Sequence, residues 1–214
     1  MRIAAAICVA ALAVSATPAF AQIDSDVFVD GKDGAKVHSA SGFVCPLSVG
    51  SFERDSVGEA DPETSADFCA YSALDGVYGT ITLKPLNGPY DATASLSSQF
   101  AEQEGSAGQL VGEGTQKFGI KGKPAIAVYT RTYGTASLAD LHYRVLFAGG
   151  VVGQWAVEAT IEYADPRDTE LEQGFLNAVY AAALAKIGPA PGATTQALAG
   201  PQAPPPLAGK PPSR

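Results

Sequence analysis

Apolar and polar side chains alternate most persistently between Ala125 and Tyr163. A period of two over such lengths predicts strands covered on one face by another layer. Ala125 to Tyr133 places Ile126 and Val128 on one face and Tyr129, Arg131 and Tyr133 on the other. Leu138 to Phe147 sets Leu141, Tyr143, Val145 and Phe147 against Asp140, His142, Arg144 and Leu146. Val151 to Tyr163 sets Val151, Trp155, Val157, Ala159, Ile161 and Tyr163 against Gln154, Glu158, Thr160 and Glu162. If Gly149-Gly150 joined the last two strands as a two-residue loop, Arg144 would lie opposite Trp155. The expectation is therefore an odd-numbered loop or bulge that puts Tyr143 and Trp155 together on a helix-packed face.

Upstream, Asp75-Gly76 is a two-residue turn signal inside a hairpin from Phe68 to Leu83. Pairing Leu74 with Val77 makes Phe68, Ala70, Ile81 and Leu83 the apolar face and leaves Cys69, Tyr71, Tyr78, Thr80 and Thr82 on a more polar one. Shorter strand signals occur at Val27 to Val29, near Val37, at Gly42 to Cys45 and at Val49 to Arg54. Glu53 to Asp67 holds six acidic residues and reads as a solvated loop, without the spacing of a Ca²⁺ loop. After Asn87-Gly88-Pro89, Asp91 is an N-cap for a short helix over 91–104 that turns Ala92, Leu96 and Phe100 to the sheet. Leu110 to Ile120 reads as a glycine-loosened strand. Gly119 to Pro124 reads as a turn, because it lacks the phosphate-loop pattern. A long helix is predicted over 167–186, with Asp165 as cap, Pro166 in its first turn and Leu171, Phe175, Val179, Ala182 and Lys186 at helical spacing.

Composition alters this picture at both ends. Residues 1–21 carry Arg2, an apolar run from Ile3 to Ala16 and the small-x-small motif Ala19-Phe20-Ala21. That is the layout of an export signal cleaved after Ala21, and the apolar run is too short for a membrane span. The expected location is periplasmic or secreted. Residues 189–214 hold eight Pro and three Gly and read as a disordered Pro/Ala-rich tail. Residues 22–188 are then a single globular domain. Loss of Arg2 moves the formal net charge from −8 to −9, which disfavours nucleic acid and anionic lipid as partners. Of three cysteines, Cys8 leaves with the leader, and Cys45 and Cys69 remain. An even pair in an oxidising compartment reads as one structural disulfide, and the spacing does not fit a redox motif. The hairpin register above would place that bridge on the outer surface.

Candidate chemistry is sparse. Tyr129, Arg131 and Tyr133 offer two aromatics flanking a guanidinium, the wall of a pocket for a planar or anionic ligand, or a strand face beneath a helix. Asp140, His142 and Arg144 share a strand face on which Asp140 and His142 could act as orienter and base for a cell-envelope hydrolase. His38, in a Gly/Ser-rich opening segment, reads as a surface residue. No metal or cofactor set is indicated.

The order of short strands, hairpin, helix, antiparallel strands and long final helix resembles the photosystem II extrinsic PsbP proteins and their relatives. In that group an aromatic-containing strand exits through a T-x-x-Y element into a packing helix. The matching positions are Trp155, Thr160, Tyr163 and Leu171 to Ile187. The resemblance implies an α+β fold, an antiparallel sheet with helices on its faces in an α/β/α arrangement, and a non-enzymatic accessory or binding role. An all-β sandwich with one C-terminal helix is the alternative fold. The expected function is that of a periplasmic accessory or binding protein for a small molecule or an envelope protein. The alternatives are a hydrolase using His142 and an interaction protein docking through the Pro-rich tail.

Overall fold

The computed structural model describes residues 27–61, 63 and 65–188. The expected leader and tail lie outside them. In chain order the elements are β1 (Phe28–Asp30), β2 (Lys36–His38), β3 (Val44–Cys45), β4 (Ser48–Val49), β5 (Phe52–Asp61), β6 (Ala66–Ala73), β7 (Val77–Pro85), α1 (Ala92–Ser95), α2 (Ser97–Gly105), β8 (Gln109–Phe118), β9 (Ile126–Leu138), β10 (Leu141–Val152), β11 (Trp155–Asp165) and α3 (Thr169–Lys186). The fold is α+β. Strands β4 to β11 form one open antiparallel sheet ordered β4-β5-β6-β7-β11-β10-β9-β8, and β1 to β3 form a small second sheet. The chain meanders from β4 to β7, crosses through α1 and α2 to the far edge, and returns by a second meander so that β11 pairs with β7.

Both faces of the sheet are covered. Under α3, Phe175 stacks against Phe52 and Tyr71 with ring centroids 4.9 and 5.8 Å away, and Tyr180 lies 4.8 Å from Phe118. The Tyr180 hydroxyl donates to the Val157 carbonyl at 3.1 Å. On the opposite face Leu96 and Phe100 pack on Tyr133, Val145 and Phe147. The expected helical segment forms as two pieces, α1 and α2, broken at Leu96, with the Asp91 carboxylate accepting the Thr93 and Ala94 amides, and the all-β alternative is set aside.

Two-sided burial overturns the expected β10–β11 connection. Strand β10 runs on through Gly149-Gly150, and the turn is the two-residue Gly153-Gln154, with Val152 paired to Trp155. Gly153 takes the left-handed φ of +62° that this turn needs. Leu146, Ala148 and Val152 therefore join Trp155, Val157 and Ile161 under α3, while Val145 and Phe147 face α2. Tyr143 and Trp155 lie on opposite faces. Alternation specifies register only where one face is apolar, and a strand that is apolar on both faces removes that constraint. The glycine pair is needed for space. A Cβ on Gly149 would stand 2.4 Å from the Tyr90 hydroxyl on one side, and one on Gly150 would stand 2.9 Å from Val128 on the other.

The first hairpin is also shifted. Its loop is three residues, Leu74–Gly76, with Gly76 at φ +77° and Ala73 paired to Val77. Cys69 now faces Ile81 and Tyr71 faces Gly79, so Cys69 and Tyr71 turn inward and Leu74 is 88% exposed. The Cys45–Cys69 disulfide forms with both residues fully buried in the α3-side core, not on the outer surface. Burying a Tyr and a cystine outweighs exposing one Leu.

Three further expectations change. Most of the acidic 53–67 segment is strand β5, with bulges at Arg54/Ser56 and Glu59/Asp61. Because β4 covers only its first residues, β5 is mostly an edge strand, and charge and bulges suit an edge. At α3 the N-cap position is Asp168. Asp165 ends β11, its peptide to Pro166 is cis, and it accepts the Thr169 hydroxyl. The buried stripe of α3 runs through Phe175, Leu176, Val179, Tyr180, Ala183 and Leu184, with Glu172 also buried, so it is rotated from the expected line through Leu171 and Ala182. The 119–124 segment is a turn as expected, and Lys123 from it donates to the Leu184 carbonyl at the end of α3.

Candidate functional site

Tyr129, Arg131 and Tyr133 do share a face of β9, and α2 closes that face. The Arg131 guanidinium carbon lies 4.6 Å from the Phe100 ring centroid and 5.2 Å from that of Tyr133. Glu104 on α2 accepts from Arg131 at 3.3 Å and from the Tyr133 hydroxyl at 2.8 Å. Burial pushes the Tyr133 phenol up to about 12. Tyr129 donates to Glu113 on β8 at 2.6 Å. These side chains hold α2 to the sheet by stacking and charge-assisted bonds.

Asp140, His142 and Arg144 are not one constellation. Asp140 sits in the β9–β10 turn beside Ala139, whose φ is +54°. The His142 ring nitrogen is bonded to the Ser137 hydroxyl at 2.9 Å. Arg144 stands 3.9 Å from Asp165, longer than a hydrogen bond, with its guanidinium across Gly134, where a Cβ would meet Nη1 at 2.6 Å. Two hollows adjoin there. One of about 370 Å³ lies toward Gln103, Tyr143, Glu162, Tyr163 and Arg167, and one of about 230 Å³ toward Gln109, Thr135 and Ser137. Arg144, Thr135 and Ala136 line both.

Two polar clusters were missed by sequence reasoning. His38 is 1% exposed and lies between the rings of Phe28 and Trp155 at 5.1 and 5.0 Å, which corrects the surface assignment. Its Nε2 meets Asp67 at 2.8 Å and its Nδ1 meets the Ser41 hydroxyl at 2.7 Å. The connectivity Asp–His–Ser is that of a charge-oriented nucleophile. The Ser41 oxygen also accepts the Phe43 amide at 3.0 Å, and Nδ1 accepts the Ser41 amide at 3.2 Å. The imidazole thus ties the β2–β3 turn to β6 of the main sheet.

The second cluster surrounds Glu158, 3% exposed in mid-β11. Its Oε1 accepts from Tyr90 at 3.0 Å and Ser95 at 2.5 Å, and its Oε2 pairs with Lys84 at 2.7 Å. Lys84 also donates to Ser95 at 3.2 Å. Burial and the Glu158 charge raise the Tyr90 phenol above its ordinary range. A hollow of about 430 Å³ opens beside Lys84, Tyr90 and Ser95. The Lys84 ion pair on Oε2 and the two hydroxyls on Oε1 fasten α1 to the sheet. A lone Glu inside the apolar run Trp155 to Ile161 was the only signal for it.

Among the described residues no group of three or more His, Cys, Asp or Glu could hold a metal ion, and no helix is long and apolar enough to cross a membrane. No protein-family model matches this chain and no curated protein matches it.

Proposed function

We propose that this chain is an exported, non-catalytic accessory or binding module of PsbP-like fold whose ligand surface is the Arg144 end of the sheet. One observation carries the reading: two adjoining hollows share Arg144, whose nearest carboxylate stands beyond hydrogen-bond distance. A guanidinium offers a planar fork suited to carboxylate or phosphate, and Tyr143, Tyr163 and Gln103 add aromatic and amide surface. The ligand class that fits is a small anion held by the guanidinium in a preformed hollow. Titration calorimetry with benzoate and with inorganic phosphate tests this. Binding by the intact protein that falls at least tenfold in Arg144→Gln supports the proposal, and heatless titrations for both probes overturn it. Export is supported by the leader pattern and by a buried disulfide, a bond that persists in oxidising compartments. The mass of the secreted chain should correspond to a start at Gln22.

A hydrolase reading rests on the Asp67–His38–Ser41 chain of bonds and not on His142. A fluorophosphonate probe separates the two readings: covalent labelling of Ser41 would establish a nucleophile, and an unlabelled protein leaves His38 in its structural role.

A further inference from the structure

The main sheet ends in two unlike edges. At one end β4 is two residues long and leaves most of β5 uncovered. That strand carries Glu53, Asp55, Glu59 and Asp61 against a single Arg54 and is broken by two bulges. A second copy laid against it would set acid against acid. At the other end β8 has ten residues, nearly all exposed, and among the described residues its outer backbone edge adjoins no further strand. Its only irregularity lies between Leu110 and Gly112, so Gly112 to Phe118 is regular. No proline interrupts it. An open edge of this length is a template for strand addition.

The sequence of this edge is complementary to itself. Glu113 and Lys117 pair with Arg131 and Ala127 of β9 and so stand on the same face, either side of Thr115. An antiparallel pairing of β8 with β8 about Thr115 sets Glu113 of each copy opposite Lys117 of the other, at the cross-strand distance where opposite charges attract. On the other face the same register sets Gly114 opposite Gln116 and Gly112 opposite Phe118. A Cβ on Gly114 would meet nothing within 4 Å, and one on Gly112 only Thr132 at 3.9 Å, so the glycines leave room for the larger partners. The Tyr129 hydroxyl occupies only one of the Glu113 oxygens, and a carboxylate accepts several bonds.

We propose that β8 is a homodimerisation edge, two copies joining antiparallel about Thr115 into one sheet of sixteen strands with two-fold symmetry. The occupant is a second copy because the charge pattern is complementary to its own antiparallel copy, as an isologous contact requires.

Light scattering on the full mature chain, with a dilution series by sedimentation, tests this. A dimer is expected. Glu113→Lys alone and Lys117→Glu alone should each raise the dimer Kd at least tenfold, because each puts like charges opposite one another, and the swap E113K/K117E should restore it to within about threefold. Thr115→Cys should give a disulfide-linked dimer on mild oxidation. Unchanged thermal midpoints would show that the charge variants remain folded. A monomer at all concentrations overturns the proposal. So does failure of the swap to rescue, and so does a dimer that persists in both single variants but disappears when the chain ends at Gly188, which would assign the contact to the Pro-rich tail.

Discussion

At the scale of single residues, the side chains that matter most are polar groups taken out of water. Glu158 is accommodated in the interior because Lys84, Tyr90 and Ser95 converge on it. Removing one partner strands a buried charge. Since Lys84 is itself about a quarter exposed, Lys84→Met should cost about 1–3 kcal/mol in urea unfolding, and adding Glu158→Leu should cost less than the sum of the singles. Gly149 exists for the same cluster. Gly149→Ala drives a methyl into the Tyr90 hydroxyl and should cost about 1–3 kcal/mol, with a smaller penalty when measured in Tyr90→Phe. Glu172 provides a pH test. Burial raises its carboxyl above the ordinary value, opposed by bonds from Gln173. The folded state therefore holds this proton to higher pH than the unfolded chain, and stability falls as pH rises from the unfolded carboxyl range through the folded one. Glu172→Gln should raise the melting temperature at pH 7, and the gain should vanish near pH 4. Asp168 has the opposite sign. Hydrogen bonds from Arg167 hold its carboxyl low, so its contribution is present above the unfolded value and fades as pH falls through the folded one.

Elements were legible where their signals are local. The Asp91 cap and the β9 alternation each act within a few residues, and each appears as expected. Connections were not legible, because a loop one residue longer exchanges every side chain between faces. The Phe68 to Leu83 hairpin carries a strong turn signal at Asp75-Gly76, yet the fold takes the register that buries Cys69 and Tyr71. The consequence is energetic. The bridge closes a loop of about 25 residues, a constraint worth about 3 kcal/mol in the chain-entropy account, and here its sulfurs also fill the core. Reduction, or Cys45→Ala with Cys69→Ala, should lower the melting temperature by well over 5 °C, read by circular dichroism with and without reductant. A bridge on the outer surface would owe its effect to loop closure alone.

For the whole molecule, the deciding fact is that the central sheet is covered on both faces, by α3 with the small sheet on one side and by α1 and α2 on the other. This makes Leu146, placed by alternation on a polar face, a core residue, and it turns the Tyr129, Arg131 and Tyr133 wall into the seat of a helix. Of the six residues first singled out for binding, Arg144 alone lines the hollows on which the proposed function rests.

The sequence by itself determined the α+β class, the positions of both helical segments, the strand-rich 125–163 segment and the disulfide pairing. Each follows from periodicity, capping chemistry or the simple availability of two cysteines. Only the tertiary structure decided the registers, the faces and the polar clusters, because these depend on groups far apart in the chain. Asp67 lies 29 residues from His38 and Tyr90 lies 68 from Glu158, and no local pattern reports that two such residues will meet. The glycine pair at 149–150 shows the division: its smallness was plain in the sequence, and what that smallness makes room for was set by a tyrosine on another element.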